Sequence, residues 1–284
     1  MKQLIASALI LLLATAALAQ TAEGDQHWAA RAEGSQNGHA KAEPVNAAIA
    51  AYQKAVTANP NDLDAQSKLL RAYRFKGAYV STSNDEKRQI YAQAKKAGET
   101  ALAAVDRQLT AKGVKSVSKA TEKEVADVAR NIPGAAETYL WDAINWGEWA
   151  LAYGKMAAAR EGAADRIRRE ATIANLIDPK LEGGSPSRVL GRLHDQTPRI
   201  PFMTGWASSK EAVKFLNDSL RIDPTNKITV VFLAEAMVNN NGDTKPQAVQ
   251  MLKDAVAKPV DPNYVVEQTA ALNDAKNMLK KWGQ

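Results

Sequence analysis

The residues best equipped for chemistry gather in two stretches. The first, Pro133–Tyr153, holds three of the chain's six tryptophans and two of its seven tyrosines. Wound at 100° per residue, Tyr139, Trp146, Trp149 and Tyr153 fall within an arc of roughly 80°, with Asp142 among them. Leu140, Ile144 and Leu151 gather on a different side. Two roles fit the arc. Its rings can fill space between helices, or they can wall a cavity that grips an apolar or ring-bearing ligand.

The second stretch runs from Gly183 to His194 as G-G-S-P-S-R-V-L-G-R-L-H and leads into Thr197–Phe202. Glycines and prolines leave room for a short helix around Pro186–His194, with Pro186 in its favoured first turn. Arg188 and Arg192 stand four apart and so share a face. Two adjacent guanidiniums repel unless a carboxylate or phosphate lies between them. A structural acid such as Asp142, Glu148 or Glu161 is one such partner, and an anionic group on a ligand or partner protein is the other.

Catalytic patterns are otherwise scarce. His27 and His39 fall near the N-terminus, and His194 stands beside Asp195. The sequence lacks H-E-x-x-H, paired metal-ligand spacing and any cysteine, so neither a metal nor another cofactor is expected. Ser185 has no base nearby in sequence, and no G-x-S-x-G turn is present. Asp142 and Glu148, six apart, sit on different helix faces, which argues against joint acid–base work. An enzyme is not expected; a helical toroid hydrolase using Glu148 or Asp142 is the residual catalytic reading.

The elements that must position these residues are helical. Ala48-x3-Tyr52-x2-Ala55-x4-Pro60 recurs as Ile167-x3-Ala171-x2-Ala174-x4-Pro179 and as Ala212-x3-Leu216-x2-Ser219-x4-Pro224. A fourth copy, Ala248-x3-Leu252-x2-Ala255, reaches Pro259 one position early. Spacings of four and three place these residues on one face, and the proline stops each helix. Between the repeats the pattern predicts a polar loop over Gly77–Asn84, a helix over Asp85–Leu109 and a capped start at Thr121. It also predicts a continuous helix over Met156–Ile177 and a polar closing helix over Asn263–Trp282. The fold expected is an all-α solenoid of stacked antiparallel helix pairs with a C-terminal capping helix.

Residues 1–19 read as a cleavable secretory signal: Lys2, an apolar Leu4–Leu13, and Ala17-Leu18-Ala19 as a small-x-small cleavage site. With no cysteine to carry a lipid, the expectation is a periplasmic protein without a lipid anchor. Residues 20–43, polar and glycine-containing, read as a flexible segment, and 44–284 as a single repeat domain. No later stretch is apolar enough for a transmembrane segment. The 37 Lys and Arg against 31 Asp and Glu are spread along the chain, so nucleic acid is not an expected partner.

The small–large–small–proline spacing resembles the second helix of a tetratricopeptide (TPR) repeat. Leu69, Leu70 and Tyr73 after Pro60, and Val230, Leu233, Ala234 and Met237 after Pro224, take first-helix places. The signal, E-T-Y-L-W-D-A-I-N-W-G-E-W-A, G-G-S-P-S-R-V-L-G-R-L-H and V-F-L-A-E-A together resemble the T-component (TatT-like) family of TRAP transporters, in order over most of Ala47–Leu279. The resemblance implies binding to the solute-binding protein of a TRAP transporter, a cavity or pore through the stack, and no catalysis. The ligand and cavity candidates are therefore Tyr139, Asp142, Trp146, Trp149, Tyr153, Arg188 and Arg192, for a small apolar or carboxylate ligand. A homo-oligomer is left open. The alternative is a general periplasmic TPR adaptor for cell-envelope proteins, without a small ligand.

Overall fold

The structure, a computed structural model, describes residues 17–284. The expected signal lies outside the described residues except for its last three. In chain order the helices are α1 (17–29), α2 (Ala42–Ala58), α3 (Leu63–Tyr79), α4 (Asn84–Ala111), α5 (Glu122–Ala129), α6 (Ala135–Tyr153) and α7 (Lys155–Arg160). They continue as α8 (Ala163–Ile177), α9 (Leu181–Gln196), α10 (Ser209–Ile222), α11 (Lys227–Asn240), α12 (Lys245–Ala257) and α13 (Val265–Lys281). The molecule is 77% helical and has no strands among the described residues. It is an all-α helical-repeat fold.

The repeat positions explain how the outer helices pack. All twelve residues of the four copies, from Ala48, Tyr52 and Ala55 to Ala248, Leu252 and Ala255, are buried. They lie on α2, α8, α10 and α12, where small residues at spacings of four and three let the next helix approach closely. The helix ends also carry local signals. Thr121 and Glu124 form a reciprocal capping box at the start of α5, and Asp62, Ser83, Ser208 and Asn226 cap α3, α4, α10 and α11.

Four expectations are revised. The helix expected over Met156–Ile177 is two, because Gly162 takes a left-handed conformation at φ 64° between α7 and α8. The loop expected over Gly77–Asn84 is shorter, since α3 runs to Tyr79 with Gly77 packed under the Tyr91 ring. Leu151, placed with the aliphatic side of α6, is exposed. Residues 20–43 are helical through Ala29 and docked: Asp25 accepts from Tyr52 Oη at 2.8 Å and from Lys68 Nζ at 2.9 Å, and Trp28 meets Phe75 edge-on at 5.3 Å.

Helices α3, α6, α9 and α11 form an inner row in which each touches the next, and α13 packs on α11 and also reaches α3. The row therefore closes into a ring. At the seam, Arg31 Nη2 donates to the Asn263 carbonyl at 2.6 Å and Arg31 Nε lies 3.5 Å from Glu267, while Asn273 Nδ2 donates to the Asn37 carbonyl. The closing helix is thus a clasp between the chain's two ends rather than a solvated cap.

Successive helices alternate in direction, so the ends of α6 and α9 meet the starts of α4, α8 and α10 at one rim. Arg88 Nε donates to the Ala152 carbonyl and Trp206 Nε1 to Asp165, both at 2.9 Å. Six of the nine exposed large hydrophobic side chains among the described residues project there: Leu151, Tyr153, Met156, Ile200, Phe202 and Met203.

Candidate functional site

The aromatic arc does not face the ring's centre. Trp146 and Trp149 are buried in a cluster with Tyr91, Ala163, Ile167 and Ala171, which places them between α6 and the outer helices α4 and α8. Their rings meet edge-on at 5.5 Å, and Lys95 Nζ of α4 lies 4.4 Å from one and 4.6 Å from the other. Arg166 of α8 covers the second face of Trp146 at 4.5 Å. Tyr139 is buried in a neighbouring cluster with α4 and α5, and Tyr153 stacks on Trp149 at the rim. These are space-filling positions between two helix layers.

Asp142 belongs to that layer too. It is fully buried, accepts from Arg166 Nη2 at 2.8 Å, and shares the same guanidinium with Glu170, whose Oε1 accepts from Arg166 Nε at 2.9 Å. Burial raises the affinity of both carboxyls for a proton, most strongly at Glu170, where the negative charge of Asp142 adds to it.

The face of α6 that turns inward carries Trp141, Ile144 and Glu148, three and four residues apart. Glu148 shows the direction, because its Oε1 lies 3.3 Å from both Nε and Nη2 of Arg74 on α3. Arg74 Nη1 also donates to Tyr79 Oη at 2.7 Å. Burial disfavours its charge, but Tyr79, Glu148 and Tyr91 outweigh that and hold the guanidinium firmly protonated. Arg71, one turn earlier, lies 4.0 Å from Glu182 on α9 and covers the Trp28 ring at 4.5 Å. Its buried Nε has no hydrogen-bond partner. The centre of the ring is therefore filled by charged side chains that still touch solvent: Arg71, Arg74, Glu148, Glu182 and Arg192 keep 20–28% of their side-chain surface.

The glycine-rich stretch delivers two of these groups. Glu182, Gly183 and Gly184 all take left-handed backbone at φ 47°, 64° and 77°, and the regular part of α9 starts at Ser185. A Cβ on Gly184 would press on Ser219 and Ile222 of α10 at 3.1–3.2 Å, so this turn needs glycine for space as well as for its dihedrals. The buried Ser185, Pro186 and Ser187 then anchor the helix, and Arg188 and Arg192 emerge on its inner side.

The two arginines do not share one anion. Arg192 Nη1 contacts Glu235 at 2.5 Å and Asp195 at 3.2 Å and lies over the Phe232 ring at 4.4 Å, so its charge is answered twice. Arg188 has no carboxylate within ion-pair distance among the described residues, and its Nη1 donates to Thr229 Oγ1 at 3.2 Å. Burial and the nearby positive Arg74 push its pKa down to about 10, against the opposing pull of Asp223 and Glu182. The acids offered by the sequence as its partners are committed elsewhere: Asp142 to Arg166, Glu148 to Arg74 and Glu161 to Lys95.

Sequence reasoning missed Arg71 and Arg74. Their spacing of three on one helix was as visible as that of Arg188 and Arg192, but no glycine or proline singled them out. His194 sits apart from the centre. It accepts from the Ser208 amide at Nδ1, stacks on Phe215 at 5.6 Å, and burial pushes its pKa down, so the neutral ring ties α9 to α10. Asp142 and Glu148 point to opposite sides of α6. Among the described residues no three His, Asp or Glu side chains converge as a metal site requires. No protein-family model matches this chain, and no curated protein shows a significant match to it.

Proposed function

We propose that this chain is a periplasmic helical-repeat protein that docks the solute-binding component of a TRAP transporter and holds or passes a small ligand at the centre of its ring. One observation carries the reading. The concave side of the solenoid is closed by α13 and lined with arginines and carboxylates, a place for a small polar molecule rather than a peptide tail. A TPR adaptor would offer an open groove along the inner helices, and here the clasp at Arg31 and Glu267 shuts it. No catalytic role is proposed.

The apolar rim supplies the surface for the protein partner. Phe202 and Met203 stand out from the turn between α9 and α10, and Phe202 holds a left-handed φ of 64° while fully exposed. Exposed apolar groups gathered on one edge mark a contact surface. In pull-down from periplasmic extract, the protein should recover an extracytoplasmic solute-binding protein, identified by mass spectrometry. The F202S/M203S variant should recover at least tenfold less. Recovery of chaperones alone, or equal recovery by the variant, overturns the docking reading. Recovery of further copies of this chain assigns the rim to self-association.

A further inference from the structure

We infer that Arg188, with Thr229 and Arg74 beside it, forms a seat for the carboxylate of a small organic monoanion at the centre of the ring. This rests on the ligand half of the proposed function and is independent of the partner half.

The case is one of charge and hydrogen-bond supply. Each other arginine at the centre has an acid: Arg31 has Glu267, Arg71 has Glu182, Arg74 has Glu148, and Arg192 has Glu235 and Asp195. Arg188 has none within 4.0 Å among the described residues. A guanidinium offers five N–H donors, and the single acceptor found is Thr229 Oγ1. A buried, unpaired charge is costly, and a chain that keeps one leaves it for something that arrives later. The neighbouring Arg74 makes the cost greater, because its charge adds repulsion that its own partner only partly offsets.

The number of unanswered charges selects the ligand. One uncompensated guanidinium matches a single negative charge, and its planar fork matches the two oxygens of a carboxylate. A phosphate dianion would bring a second charge into a site where Glu148 and Glu182 already stand. Thr229 can shift its hydroxyl to the incoming oxygen, since it also lies within hydrogen-bond reach of Ser219 and Asn226.

The test is calorimetric titration of the full chain with acetate, benzoate and inorganic phosphate at sub-millimolar concentrations, beside R188M and R192M. Wild type should bind at least one of the two monocarboxylates and bind phosphate at least tenfold more weakly. R188M should lose that binding at least tenfold yet melt no lower than wild type, because a similar apolar stem replaces an unanswered charge. R192M, which strands two carboxylates, should melt lower. Equal monocarboxylate affinity in R188M and wild type, tighter binding of phosphate, or no binding of either monocarboxylate overturns the seat. So does a fall in melting temperature or failure to fold in R188M, since Arg188 would then be a structural tie. The titration uses the isolated protein, so its failure leaves partner capture standing, and failed capture leaves the titration standing.

Discussion

At the scale of single residues, Asp142, Arg166 and Glu170 form the most constrained group in the molecule. One guanidinium serves two carboxyls that are almost wholly buried and hydrogen-bonded to each other. Both proton affinities are raised, so the pair carries a proton at pH values where exposed carboxyls have lost theirs. A raised folded-state value contributes stability fully present below the ordinary carboxylate range near pH 4 and lost as pH rises through the folded value. The E170Q variant keeps a donor toward Asp142 and has no proton to lose. Its stability relative to wild type should therefore grow by about 1–3 kcal/mol between pH 5 and pH 8. Urea unfolding at the two pH values measures this, and a difference independent of pH would show that the pair is ionised throughout.

At the scale of elements, contact between α4 and α6 depends on what is missing from Gly98. A Cβ there would collide with Asp142 Oδ1, so the glycine lets the outer helix lie against the buried carboxylate. Gly147, on α6 itself, has nothing within 4 Å of an added Cβ. Alanine is the better helix former by about 1 kcal/mol. The two substitutions should therefore differ in sign: G147A is expected to stabilise by about 0.5–1 kcal/mol. G98A should destabilise by about 1–3 kcal/mol, because overpacking outweighs the propensity gain. Thermal or urea unfolding of the pair decides it, and a stabilising G98A would mean that α4 can move away freely.

At the scale of the whole molecule, the ring is held shut at a seam between residues more than 230 positions apart. Arg31 is the hub: it binds the Asn263 carbonyl, faces Glu267, and lies over the Trp28 ring at 4.8 Å. A Cβ on Gly38 would lie 2.7 Å from the Ala270 amide nitrogen, so the seam is backbone against backbone. Replacing Arg31 by Ala strands the carboxylate of Glu267, whose side chain is 12% exposed. R31A should then speed hydrogen exchange at least tenfold in α1 and α13 while leaving α6 and α8 protected. Uniform exchange across all four helices would show that closure is not a separate step.

The sequence by itself determined the helix pairs. Small residues at spacings of four and three with a closing proline are local facts, and they land in the core wherever the neighbouring helix comes from, as Ala212, Leu216 and Ser219 show. It also marked Arg188, because a glycine–proline turn can only be local. Only the tertiary structure decided that the polar 20–43 segment docks, that α13 returns to α3, and that the tryptophans look outward to α4 and α8. It likewise decided which arginine receives a carboxylate. Those outcomes turn on how much each repeat rotates relative to the last, a small angle summed over the stack that no single window of sequence contains.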